Sequence, residues 1–117
     1  MAVVAFALPI LPGQGDAVRR LGEKASGSGP LRDAYEGSRQ NLGITAEKAW
    51  LQKAPTGEVL VIYWETDDPQ RTLREIAASQ DQFDCQFRKF IESTAPAIDL
   101  SEERPLSNEL LFEWTAS

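Results

Sequence analysis

The chain has 117 residues, 42% of them hydrophobic, with 12 basic against 18 acidic side chains and a net charge of −6. That length and apolar content suit one modest core and one domain over residues 1–117. The acidic balance, with no Lys or Arg run to track a phosphate backbone or an anionic bilayer, argues against nucleic acid and against a membrane surface.

Histidine is absent, which removes Ser-His-Asp and Cys-His nucleophile pairs and every imidazole metal ligand. A single cysteine, Cys85, forms no internal disulfide and suits a reducing compartment, so the cytoplasm is the expected location. The apolar start, residues 1–11, lacks a basic leader and is interrupted by Pro9 and Pro12, and therefore reads as a first strand rather than a signal sequence. No stretch approaches the roughly 20 apolar residues that span a bilayer.

Residues 3–10 are apolar at odd and even positions alike, the pattern of a strand buried on both faces. LPGQGD follows as a turn in which Asp16 is the expected N-cap of a first helix carrying Val18, Leu21 and Ala25 on one face. GSGP ends it, and Pro30 starts a second helical piece with Leu31, Ala34, Tyr35, Ser38 and Leu42 at helical spacing, closed by Gly43. Residues 47–53 alternate, Ala49 and Leu51 on one face and Lys48, Trp50 and Gln52 on the other, as in a half-exposed strand. Pro55, Thr56 and Gly57 form a hairpin turn into a third strand, EVLVIYWET, with Val59, Val61 and Tyr63 facing one way and Leu60, Ile62 and Trp64 the other.

Asp67, Asp68 and Pro69 announce a helix with Leu73, Ile76 and Ala77 inward. A further helix sets Phe83, Phe87, Phe90 and Ile91 on one stripe and ends at Pro96. Asp81 and Asp84 at its start read as capping carboxylates rather than an acid–base pair, and Cys85 as a half-buried helix residue. After a main body over residues 1–96, residues 97–117 form a loop and a C-terminal edge strand, NELLFEW. The order strand, helix, strand, strand, helix, strand, each helix in two pieces, predicts an α+β ferredoxin-like βαββαβ domain: an antiparallel sheet with helices on one face, the first and third strands central. One helical layer leaves the other sheet face bare, so a second copy is the expected cover and the chain a homodimer.

RDAYEGSRQNLGITAEKAWLQ, GEVLVIYWE, the DDP before a helix and ASQDQFDCQFRKF followed by IDLSEE together resemble an uncharacterised bacterial family of the dimeric α/β-barrel superfamily, over residues 12–103. Gln82 stands where that family's Asp-Pro-Phe-Asp element carries proline. The resemblance implies the fold and the dimer more firmly than an activity, because superfamily members include cofactor-independent quinol monooxygenases, haem enzymes and small ligand-binding proteins. The haem role needs a histidine that this chain lacks, and no cofactor or metal is expected. The function that follows is small-molecule binding or interaction, with Trp50, Gln52, Tyr63, Trp64, Tyr35 and Arg88 as the expected walls and polar handles of an inter-sheet site for a small aromatic ligand. The alternative is a cofactor-independent monooxygenase or isomerase acting on an aromatic or quinol-like substrate in that space. GQGD lacks the third glycine of a dinucleotide fingerprint and the Lys-Ser/Thr of a P-loop, and is a plain turn.

Overall fold

A computed structural model describes residues 2–100 and 106–116. Seven elements follow one another: β1 (Ala2–Pro9), α1 (Gly15–Ser26), α2 (Pro30–Asn41), β2 (Ile44–Ala54), β3 (Gly57–Thr66), α3 (Pro69–Ala78) and α4 (Gln82–Thr94). The strands form one antiparallel sheet in the order β1-β3-β2, so the architecture is α+β with four helices. No helix among the described residues is long and apolar enough to cross a membrane.

Strand parity decides what each face does. Val4, Phe6 and Leu8 of β1 and Leu60, Ile62 and Trp64 of β3 point to the helices and are buried. The register sets Phe6 opposite Ile62 and Val4 opposite Trp64, and the Phe6 and Trp64 rings meet edge to face at 5.0 Å. Leu73 and Ile76 of α3 and Phe83, Phe87 and Ile91 of α4 complete this single core. The opposite face is bare: Val3, Ala5 and Ala7 of β1 are exposed, and Val61, Tyr63 and Trp50 share their side of the sheet. The double-sided burial expected of β1 is therefore not achieved within one chain. The polar–apolar alternation of β2 holds, with Ala49 and Leu51 opposite Ile62 and Leu60 on the helix side.

Helix termini show which carboxylates act locally. Asp68 caps α3 by accepting from the Arg71 backbone N–H at 3.1 Å, with Pro69 in the first turn where its missing N–H costs nothing. Asp81 does the same for α4, accepting from the Asp84 N–H at 3.2 Å. The expected cap of α1 is different: Gln14 takes the N-cap position without a side-chain cap and α1 starts at Gly15, one residue before Asp16, where a Cβ would stand 2.5 Å from a Glu58 carboxylate oxygen. Asp16 instead pairs with Arg19 at 2.7 Å within the first turn, in solvent. Gly43, at φ +74°, ends α2 in the left-handed region that glycine enters without steric cost.

The C-terminal edge strand is not formed in residues 106–116, so β3 alone is central and β1 is an edge. The polar loop SEERP expected at residues 101–105 lies outside the described residues. The physical reason is visible at Asn108. Its side-chain carboxamide accepts from the Ala5 N–H at 2.9 Å and donates to the Ala5 carbonyl at 2.7 Å, taking the pair of backbone groups that a fourth strand would use at that point. Ile98 and Leu100, which follow α4, pack on the core.

Removing the Asp68 cap by Asp68→Ala is expected to cost about 1 kcal/mol, whereas Asp16→Ala, which deletes only an exposed pair, stays within about 0.5 kcal/mol. Urea unfolding of the two variants checks the contrast.

Candidate ligand cavity

Glycine and alanine on facing elements leave room that larger side chains would fill. Gly22 and Ala25 of α1 look toward Ala49 of β2, and between α1, α2, α4 and the β2 side of the sheet lies a half-open cavity of about 510 Å³. Val18, Leu21, Leu51, Leu60, Ile62 and the Phe83, Phe87 and Phe90 rings make its walls apolar. Its polar end is built by Tyr35, Arg39 and Glu47.

Glu47 shares the helix-facing parity of Ala49 and Leu51, which drives a carboxylate into the protein. There it is fully engaged. Oε1 accepts from the Tyr35 hydroxyl at 2.6 Å and from Arg39 Nε at 2.8 Å, and Oε2 accepts from the Trp64 indole N–H at 2.6 Å. Arg39 is buried in turn, its guanidinium carbon 5.1–5.5 Å from the centroids of Tyr35, Trp64, Phe83 and Phe87. It also donates to Ser38 Oγ at 3.1 Å and lies 3.8 Å from Asp84. Asp84 is held by the hydroxyls of Ser38 and Ser79, the latter at 2.5 Å. Read as a capping carboxylate in the sequence, Asp84 is a buried anchor joining α4 to α2. No buried side-chain nitrogen or oxygen among the described residues lacks a partner.

At the buried end two carboxylates surround one guanidinium, and the two other arginines of the lining are themselves paired, Arg19 with Asp16 and Glu58 and Arg32 with Glu36, so a ligand anion beside Glu47 would be repelled. Burial, then the Glu47 hydrogen bond and charge, push the Tyr35 hydroxyl up to about 12 against the lesser opposing pull of Arg39, so Tyr35 stays a neutral donor.

The structure divides the residues expected to share one inter-sheet site. Tyr35 and Trp64 stand at the helix-side polar end, while Tyr63 and Gln52 lie on the bare face, Tyr63 donating to Glu65 at 2.6 Å. Trp50, opposite Val61 on that face and 52% exposed, belongs to the cavity boundary at the free edge of β2. Arg88 is elsewhere: it donates to the Ile76 carbonyl at 2.7 Å and to Cys85 Sγ at 3.4 Å, beside a separate cleft of about 380 Å³. Arg39 and Glu47 are the residues that sequence reasoning missed. Their signals were present: a glutamate on the buried parity of β2, and an arginine one helical turn from Tyr35. Among the described residues, no three His, Cys, Asp or Glu side chains gather to hold a metal ion.

No protein-family model, curated protein or solved structure matches this chain.

Glu47→Leu and Arg39→Met, each stranding a buried charge, are expected to cost about 3–5 kcal/mol, and the double variant markedly less than their sum, as read by denaturant unfolding. Because the folded Tyr35 pKa lies above the ordinary value of 10.0, its contribution to stability is complete below about pH 10 and is lost as pH rises toward 12. Ultraviolet titration is expected to show a late phenolate transition that Tyr35→Phe removes.

Proposed function

We propose that this protein is a homodimer that binds a small, uncharged, largely apolar molecule in the cavity between α1, α2, α4 and the sheet. The observation that carries the reading is the cavity itself: about 510 Å³, within the range of small-molecule sites, largely apolar along its walls, with a buried polar end at Tyr35, Arg39 and Glu47 and with Arg19, Ser26 and Arg32 elsewhere in its lining. The Phe83 and Phe87 rings, 7° from parallel, and Phe90 give the cavity an aromatic wall. The Tyr35 oxygen, whose hydrogen is committed to Glu47, retains lone pairs for a ligand hydroxyl.

This geometry favours binding over turnover. A cofactor-independent oxygenase or isomerase needs a group that takes a proton from its substrate. Here Glu47 already accepts three hydrogen bonds, and Tyr35 remains protonated across the physiological range.

The bare sheet face supports the homodimer. Val3, Ala5, Ala7, Val61, Tyr63 and Trp50 form an apolar surface that the described residues of their own chain leave largely open, and a second copy set against the first covers both such faces. That arrangement is the one implied by the resemblance to the dimeric α/β-barrel superfamily. The lone thiol of Cys85 is consistent with a reducing compartment, and we place the protein in the cytoplasm.

The neutral fluorophore N-phenyl-1-naphthylamine and its sulfonated counterpart, 1-anilinonaphthalene-8-sulfonate, separate the cavity from general stickiness. The neutral probe is expected to bind at least about tenfold more tightly, a difference of about 1.4 kcal/mol, and to be displaced from an Ala49→Phe variant that fills the cavity. Equal affinity for both probes, or neutral-probe binding unchanged by Ala49→Phe, contradicts the reading.

A further inference from the structure

We propose that residues 110–114 of one chain pack on the open sheet face of a second copy, and reciprocally, so that the two C-terminal segments clasp the dimer. The inference rests on the homodimer reading above and adds the segment that secures it. Leu110, Leu111, Phe112 and Trp114 are 74%, 81%, 84% and 80% exposed, the most exposed large apolar side chains among the described residues. Such a run is a liability for a lone chain, because each exposed group forfeits the burial that makes it apolar to advantage.

The described residues of its own chain do not take it up. Asn108 ties the segment to the rim of the bare face by bridging both backbone groups of Ala5, and the apolar residues that follow leave the body of the molecule. The chain thus carries two unsatisfied surfaces in equal number, an anchored apolar segment and an apolar sheet face, and a twofold contact satisfies both at once. Size agrees. Phe and Trp side chains bring roughly 150–250 Å² each, so a segment with two leucines besides offers roughly 500 Å², and two segments about 1,000 Å², the order at which an interface becomes specific. Charge does not oppose the contact: Glu109 and Glu113 flank the apolar residues, and the open face carries both Lys48, opposite Tyr63, and Glu65.

The test uses the full chain with Phe112 replaced by the photocrosslinker p-benzoylphenylalanine, mixed with uniformly ¹⁵N-labelled wild-type chain. Illumination is expected to join the unlabelled residue 112 peptide to labelled peptides of β1, β2 or β3. A Phe112→Asp, Trp114→Asp double variant is expected to raise the dimer dissociation constant at least about tenfold with an unchanged circular dichroism spectrum. Adducts confined to one chain, in a sample whose native mass is that of a dimer, overturn the clasp and leave the dimer standing. A native mass of a monomer at micromolar concentration overturns the dimer and the clasp together.

Discussion

Burying the Glu47 carboxylate on the helix side of β2 creates an obligation that much of the surrounding structure meets. An ionised carboxyl in the interior is tolerated only when its lone pairs are occupied and its charge is countered. The phenol of Tyr35, the guanidinium of Arg39 and the indole of Trp64 meet that need, and they come from α2 and β3. Arg39 then requires its own surroundings, four aromatic rings and Asp84, which brings in α4. Asp84 requires two hydroxyls, from Ser38 of α2 and from Ser79 just beyond α3. A chain of polar necessity thus locks α2 and α4 to the sheet where apolar packing alone would allow them to slide. Its worth lies in specificity of arrangement more than in stability.

The same network explains where space remains. Beyond Arg39, the partners across the gap between α1 and β2 are small, Gly22, Ala25 and Ala49, and only Gly15 and Val18 of α1 are buried. The polar end is rigid and the α1 wall is loosely seated, a combination that suits a site with a fixed handle and an adaptable lid. On the far side of the sheet the situation differs: its polar groups, Lys48, Gln52 and the Tyr63–Glu65 pair, lie around an apolar surface that is largely open. The two faces of one three-stranded sheet are therefore unlike, a half-open cavity with a polar end on the helix side and a largely open apolar surface on the other.

Much of this was legible in the sequence because it obeys local rules. The paired helices, the hairpin at Pro55 and Thr56, the caps at Asp68 and Asp81, and the Phe83, Phe87 and Ile91 stripe are set by residues within a few positions of one another. The fourth strand was misread because alternation in NELLFEW describes what a segment is able to pair with, and Asn108 had already taken the Ala5 backbone. The site was only half legible. Parity put Trp50 and Tyr63 on one face, but it placed Trp64 on the other with equal force, and an aromatic inventory concealed that split. Arg39 and Glu47 stayed hidden because charged residues are ordinarily solvent-facing, and their burial follows from a partner eight residues away across the α2–β2 turn.

The most direct test of the network is hydrogen exchange at the Trp64 indole, followed by NMR. If Trp64 Nε1–H is fully buried and bonded to Glu47, its exchange proceeds only through global unfolding, and the protection free energy equals the stability measured by urea. Exchange at the rate of an unfolded peptide in the folded protein would show that the Glu47 carboxylate is not held there, and the polar end of the cavity would have to be rebuilt.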